Sequence, residues 1–139
     1  MQIRTRIVIG LLSLAMMVVP LRAVAADFDG SRPLLMAIID VIECHPGGAC
    51  ETVAPKEAGL PRFFEIDVDK KEISEIGDAK EERRTMIQSV TQGEGVLILQ
   101  GAQNGRGWSI TITEASGEAV ATVSDPVSGF VLFGACTPR

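Results

Sequence analysis

Apolar and polar residues mostly alternate from residue 63 onward, and turn-forming residues interrupt the alternation about every eight to twelve positions. A period of two is typical of a β-strand with one buried face, because successive side chains point to opposite sides of a sheet. Frequent turns between short strands are typical of an antiparallel meander. The pattern predicts strands at 63–69, 72–76, 96–103, 119–124 and 129–137, and another that starts at Arg106 or Gly107 and runs to Thr113.

The clearest turn is Asn104-Gly105, which separates the runs 96–103 and 106–113. Asn-Gly suits a two-residue type I′ hairpin turn, because both central residues of that turn have positive φ angles. In the strand after this turn, Trp108 falls on the same face as two isoleucines. We therefore expect Trp108 to contribute mainly to the core.

The first long apolar run, 34–42, contains a single charged residue, Asp40. It is rich in β-branched residues, which crowd a helix and favour a strand. A near-continuous apolar run fits a strand that is buried on both faces or lies in a tightly closed barrel. We expect this strand to pair with the last one, 129–137, and to close the sheet.

Two other segments allow helical structure. At 54–59, a proline at the first helical position and a glycine just past the end predict one helical turn. The segment 77–90 has two interpretations. It forms two strands joined by a charged loop at 78–83, which we favour, or it contains a helix that begins with a capping box at Asp78.

The fold class follows from the strand count and the need to cover sheet edges. An open sheet of about eight antiparallel strands would expose two adhesive edges. The sequence therefore predicts an all-β fold, an antiparallel meander of about eight strands closed into a small barrel or barrel-like sandwich. At most one short helix is expected.

The first 26 residues have the pattern of an export signal. Two arginines precede an apolar run at 7–21, and small residues follow at 23–26. The run is short for a membrane span and a cleavage site follows closely. We expect 1–26 to be a cleaved Sec signal peptide and 27–139 to form a single barrel-like domain with no membrane span. The protein is then periplasmic or secreted.

The chain after residue 26 is acidic. Three of the 13 basic residues lie in the leader and all 18 acidic residues follow it, so ten basic and 18 acidic residues give a net charge of −8. Such a surface repels phosphate backbones, which argues against a nucleic-acid partner. The chain has no tyrosine and one tryptophan, so a stacking platform for sugars or bases is also disfavoured.

The three cysteines predict one disulfide. Cys44 and Cys50 enclose the turn-forming segment 45–49, and disulfides persist in exported proteins. Closing so short a loop adds about 2 kcal/mol in the loop-entropy model. Cys136 is then a free thiol, and we favour a buried, inert cysteine on the last strand over a reactive one.

Metal binding and catalysis have little support in the sequence. A zinc site formed by the three cysteines and His45 would need a turn to begin between Cys44 and His45, because adjacent residues on a strand point to opposite faces. The acidic stretch 67–72 lacks the glycine and the final glutamate of a calcium loop. The chain has one histidine and none of the common catalytic motifs. We expect no catalytic residue, no cofactor and no metal.

The chain resembles a family of small exported proteobacterial β-rich proteins of unknown function. The resemblance covers the whole mature chain and rests on turns, core strands and cysteines in the segments 33–35, 41–48, 98–108 and 129–137. It implies an exported β-rich fold and transfers no activity. The family pattern often has a cysteine at the position of Met36, which would pair the first strand with Cys136. Met36 departs from that pattern.

These observations predict a non-enzymatic binding or interaction module. A small barrel offers its mouth to a small apolar ligand and its hairpin loops to a protein partner. Arg106 and Trp108 form the most suggestive surface contact. The acidic charge makes an inhibitor of a basic envelope enzyme one version of the protein-partner hypothesis. The alternatives are a hydrolase with two carboxylates in the barrel mouth and a purely structural envelope protein.

Overall fold

The computed structural model describes residues 27–77 and 83–139. These residues form ten strands and the turns between them, with no helix, so the predicted all-β class is confirmed. The strands are β1 (Leu34–Cys44), β2 (Glu51–Val53), β3 (Phe63–Asp67), β4 (Glu72–Ile76), β5 (Arg84–Met86), β6 (Ser89–Gly93), β7 (Val96–Gln103), β8 (Arg106–Thr113), β9 (Glu118–Ser124) and β10 (Gly129–Pro138).

All strands belong to one antiparallel sheet, in the order β5-β4-β3-β1-β10-β9-β8-β7-β6, with β2 paired to β1 beside this path. One edge of β1 pairs with β10 over its full length, from Leu34 opposite Pro138 to Cys44 opposite Gly129. The predicted pairing of the first and last strands is therefore confirmed. The other edge of β1 is divided, because β3 pairs with its first half and β2 with its second.

The two ends of this strand path meet through residues 84–93. β5 pairs with β4, β6 pairs with β7, and two residues separate β5 from β6. At this junction the Ile87 N–H donates to the Lys71 carbonyl, and the Gln88 N–H donates to the Gln100 carbonyl. Residues 84–93 thus behave as one bent strand, which pairs with β4 at its start and with β7 at its end. The sheet therefore curls into a barrel-like shape.

The core fills the inside of the curled sheet. Inward-pointing side chains come from alternate positions of the strands, so the period of two in the sequence corresponds to the inner and outer faces. Burial of one such aliphatic side chain stabilises the fold by about 1.5–3 kcal/mol. The largest fully buried side chains are Leu34, Met36, Ile38, Val41, Ile66, Leu97, Leu99 and Ile112.

β1 is buried on one face rather than on both. Its inward residues are buried, whereas Ile39 is 63% exposed. A β-bulge between Ile38 and Asp40 shifts the register with β10. The bulge places Ile39 and Asp40 consecutively on the outer side and returns Val41 to the core.

Several local predictions are confirmed. Asn104 and Gly105 have φ angles of 52° and 77°, as a type I′ turn between β7 and β8 requires. Strands β4 and β7 have the predicted bounds. The short strand β2 was not predicted, because three exposed or half-exposed residues carry no alternation.

The segment 54–59 forms a single turn of the predicted kind, in which the Ala58 N–H donates to the Ala54 carbonyl four residues earlier, and no helix continues from it. The Gly59 N–H donates to the Lys56 carbonyl and the Leu60 N–H donates to the Pro55 carbonyl, with Gly59 at a φ angle of 67°. This is the hydrogen-bond pattern that normally ends a helix, here without the helix before it. The charged loop predicted at 78–83 falls mostly on 78–82, which lie outside the described residues.

The two ends of the barrel differ. One end is filled by the residues before β1, where the Phe28 ring packs against Gly117 and Gly30 packs against Val68 and Leu97. We call the other end, formed by the end of β7, the start of β8 and the segment 59–61, the open end. In the described ranges, no helix is long and apolar enough to cross a membrane.

Candidate functional site

A cavity of about 200 Å³ lies at the open end of the barrel. Its floor is apolar and its rim carries polar and charged side chains. The floor includes side chains from β1, β3, β4, β8 and β10, namely Met36, Phe64, Ile73, Trp108, Ile110 and Leu132. The rim includes Glu75, Arg83, Arg84, Thr85, Gln103 and Arg106.

Trp108 forms one wall of the cavity, and its ring position is set by Gly101. These two residues are direct cross-strand partners on β8 and β7. A Cβ atom at Gly101 would lie within 2.7 Å of the Trp108 ring atom Cε2, so the ring lies close against the glycine backbone. The Trp108 Nε1–H donates to the Thr85 hydroxyl at 3.3 Å. The wall is therefore held by packing on one side and by the hydrogen bond that Trp108 donates to β5 on the other.

Arg106 stands on the rim, at the first position of β8. Its partner across the hairpin is Gln103, so the type I′ turn places a guanidinium and an amide at the same edge of the cavity. The Arg106 Nε atom lies 3.6 Å from Asp125 Oδ2, and the Arg106 side chain is about half exposed. At this distance the two side chains form an ion pair but no hydrogen bond.

Asp125 is itself fixed by the loop between β9 and β10. Its Oδ1 atom accepts hydrogen bonds from the Val127 N–H, the Ser128 N–H and the Ser128 hydroxyl at 2.8–3.0 Å. These bonds, led by the Val127 N–H, lower the pKa of the Asp125 carboxyl, with a smaller contribution from Arg106. Asp125 therefore keeps a negative charge beside Arg106.

The opposite side of the rim is held by Arg83. Its Nε atom donates to Glu75 Oε2 at 2.6 Å and its Nη1 atom donates to the Gly59 carbonyl at 3.2 Å. Arg83 thus connects β4 to the segment 59–61, where Leu60 covers part of the cavity. The next residue, Arg84, is 3.1 Å from Glu72.

Glu75 is the one carboxylate among the described residues that line the cavity. It is paired with Arg83 through both carboxylate oxygens. A hydrolase of the two-carboxylate kind needs a second acidic group converging on the same cleft. The described part of the chain does not place one beside Glu75.

The predicted Cys44–Cys50 disulfide is present. It closes the loop between β1 and β2, and His45 in that loop pairs with Glu43 at 3.1 Å. Across residues 27–77 and 83–139, no group of three or more His, Cys, Asp or Glu side chains is arranged to hold a metal ion.

Cys136 is a free, buried thiol on β10, directly opposite Met36 on β1. Burial raises the pKa of the Cys136 thiol to about 12. A thiol with so high a pKa is a weak nucleophile at neutral pH, because the thiolate is the reactive form. Cys136 therefore acts as a small core side chain in the folded protein.

The acidic stretch 67–72 forms a hairpin tip between β3 and β4. Asp67 accepts a hydrogen bond from the Lys70 N–H at 2.9 Å and pairs with the Lys70 ammonium at 2.7 Å. The contact with Lys70 lowers the pKa of the Asp67 carboxyl. In these contacts the acidic side chain stabilises the turn between the two strands.

The structure brings Arg106 and Trp108 together at one cavity, whereas the three cysteines lie outside it. Sequence reasoning missed Gln103, Arg83 and Gly101 as parts of the site. Gly101 carried a usable signal, because a single glycine inside an apolar strand marks close approach by another group. Gln103 also carried a signal, because the Asn104-Gly105 turn places it opposite Arg106. Arg83 carried none, since its place at the cavity depends on contacts with Glu75 and Gly59.

No family model matches the chain, and no curated protein or solved structure matches it significantly. The resemblance to exported proteobacterial proteins therefore stays a prediction.

Proposed function

We propose that the protein is a non-enzymatic binding module that holds a small apolar ligand in the cavity at the open end. The proposal rests on one observation, a cavity of about 200 Å³ with an apolar floor and a polar rim. An engineered apolar cavity of about 150 Å³ is large enough to hold benzene. Apolar walls with a few placed polar groups are typical of small-molecule sites.

We further propose that the protein works outside the cytoplasm. The leader pattern at 1–26 supports export, and the Cys44–Cys50 disulfide is compatible with an oxidising compartment. Mass measurement of protein from the envelope fraction should give a chain that begins at Ala26 or Asp27. A chain that begins at Met1 would contradict export.

Trp108 is the only tryptophan in the chain and forms a wall of the cavity, so its fluorescence reports occupancy directly. Titration with 1-octanol should give a saturable change in Trp108 emission and a rise in Tm, because a ligand that binds the folded state stabilises it. No saturable change with octanol or with an octyl chain bearing a charged headgroup would contradict the proposal.

A filled cavity provides the control. Ala121 lines the cavity, and Ala121→Leu should place three further carbon atoms in it and abolish the response to octanol. Ala135→Leu adds the same atoms at an exposed position of β10 and should leave the response unchanged. Urea denaturation should show that both variants remain folded.

A second candidate is the inhibitor of a basic envelope enzyme. The net charge of −8 after the leader favours a basic partner. The outer face of the sheet also exposes Phe133 and Val120, which are cross-strand partners on β10 and β9. Inhibition of a basic muramidase at micromolar protein would support this candidate, and unchanged activity would refute it for that enzyme.

A further inference from the structure

We infer that the ligand of this cavity is an amphiphile with an anionic headgroup, such as a short-chain carboxylate, and that Arg106 binds the headgroup. This inference rests on the proposed function, since it specifies the chemistry of the ligand in the same cavity. The observation that supports it is the unused hydrogen-bonding capacity of the Arg106 side chain at the rim.

Arg106 has unused hydrogen-bonding capacity. Within the described residues its side chain donates no hydrogen bond, and its ion-pair partner is Asp125 at 3.6 Å. The Oδ1 atom of Asp125 already accepts three hydrogen bonds from its own loop. The Asp125 oxygen nearest Arg106 is Oδ2, and at 3.6 Å it is beyond hydrogen-bond distance, so Asp125 pairs with the guanidinium by charge and leaves the Arg106 N–H groups to a ligand.

The guanidinium suits an anion of defined shape. Its planar N–H groups match the two oxygens of a carboxylate, and such charge-assisted pairs are stronger than neutral hydrogen bonds. Gln103, the cross-strand partner of Arg106, places an amide at the same edge of the cavity. The two side chains provide a charged donor and a neutral donor for one headgroup.

The charge around the cavity also favours an anion. Three of the ten basic residues after the leader, Arg83, Arg84 and Arg106, line this one cavity of an otherwise acidic chain. Arg83 already neutralises Glu75. Arg84 is paired with Glu72 in the same way, so Arg106, which is 3.6 Å from its partner Asp125, is the arginine that would repel a cationic headgroup.

The apolar floor determines that the part of the ligand inside the cavity is a hydrocarbon. Beside Arg106, the cavity is lined by Trp108, Ile110 and the other apolar side chains of the floor, and the Glu75 carboxylate that also lines it is paired with Arg83. An acyl chain or a small ring that fills this space would leave its headgroup at the rim. The anionic group of the ligand therefore lies outside and its hydrocarbon part lies inside, because Arg106 is at the rim and the apolar side chains form the floor.

The test compares three ligands with the same chain, namely octanoate, 1-octanol and octylammonium at pH 7, titrated against Trp108 fluorescence. Octanoate should bind about tenfold more tightly than octanol, since a hydrogen bond to a charged group contributes more than a neutral one. Octylammonium should bind most weakly. Equal binding of octanoate and octanol, or tightest binding of octylammonium, would overturn the inference.

The variant Arg106→Gln should lower octanoate affinity about tenfold and leave octanol affinity unchanged. Arg106→Lys keeps the charge but loses the planar donor pair, so its octanoate affinity should lie between those of the wild type and of Arg106→Gln. Arg32→Gln removes an exposed arginine near the filled end and should change neither affinity. Equal loss of both ligands in Arg106→Gln would show a structural role and overturn the inference.

The outcomes separate this inference from the proposed function. If none of the three ligands changes Trp108 emission, the proposed binding function fails and the inference fails with it. If octanol binds and octanoate has no advantage, the cavity remains a binding site and only the anionic headgroup is refuted.

Discussion

Gly101→Ala tests the packing that positions Trp108. A Cβ atom at residue 101 would lie 2.7 Å from the Trp108 Cε2 atom and 2.7 Å from the Met86 carbonyl oxygen. The Trp108 Cζ2 atom would be closer still, and carbon atoms in contact are normally about 3.5–4.0 Å apart, so the indole ring must move by more than about 1 Å. The added methyl group therefore displaces the wall of the cavity.

The expected loss of stability follows from three contributions. Overpacking costs about 1–3 kcal/mol. A displaced ring also weakens the hydrogen bond from Nε1 to Thr85, which contributes about 1 kcal/mol. Replacing glycine by alanine restricts the unfolded chain and offsets about 0.4–1 kcal/mol. We expect a net loss of about 1–3 kcal/mol in the free energy of unfolding.

Urea denaturation followed by Trp108 fluorescence measures this loss, and the emission of the folded state reports the ring position. Gly93→Ala is the matched control, because a Cβ atom at Gly93 in β6 meets no atom within 4 Å. It should change the free energy of unfolding by less than about 0.5 kcal/mol. A Gly101→Ala variant with wild-type stability and unchanged emission would refute the packing of Trp108 on Gly101. A destabilised variant with unchanged emission would assign the clash to Met86 instead.

Three further predictions concern the cysteine, the turn and the acidic groups. Unfolding without reductant should expose one reactive thiol per chain, Cys136, which should react slowly in the folded protein because it is buried; three equivalents would contradict the disulfide. Gly105→Val should destabilise the domain by about 1–3 kcal/mol, measured by urea denaturation, because a β-branched side chain is strained at the φ angle of 77°; wild-type stability would contradict the type I′ turn. The pKa of the Asp125 carboxyl is lowered from 3.8 by the Val127 N–H, so its contribution to stability is present above pH 3.8 and is lost as the pH falls through the lower folded value. Asp125→Asn should therefore lose less stability than wild type between pH 4 and pH 2 in urea midpoints, and equal losses would contradict this role.

The part of the fold that depends on near neighbours was predictable from the sequence. The strands β4 and β7 and the Asn104-Gly105 turn are set by alternation and by turn chemistry, which act over a few residues. The Cys44–Cys50 disulfide was predictable for the same reason, since a short turn joins the two cysteines. The pairing of first and last strands was also expected, because sheet edges must be covered.

The bulge in β1 was not predictable, since a β-bulge changes the inward side of a strand without changing its apolar composition. As a result Ile39 is exposed although it lies in the most apolar run of the mature chain. The division of the second edge of β1 between β2 and β3 also depends on distant segments of the chain. Neither feature has a local pattern that would predict it.

The cavity belongs to the tertiary structure alone. The sequence determined that Arg106 and Trp108 lie just after a tight turn, because their spacing from Asn104-Gly105 is local. Only the folded structure placed Phe64 beneath them and Arg83 across the rim, because these residues come from strands that pair through other strands. Hydrogen bonding between strands fixes those distances, and the hydrophobic pattern of any single strand is compatible with many partners.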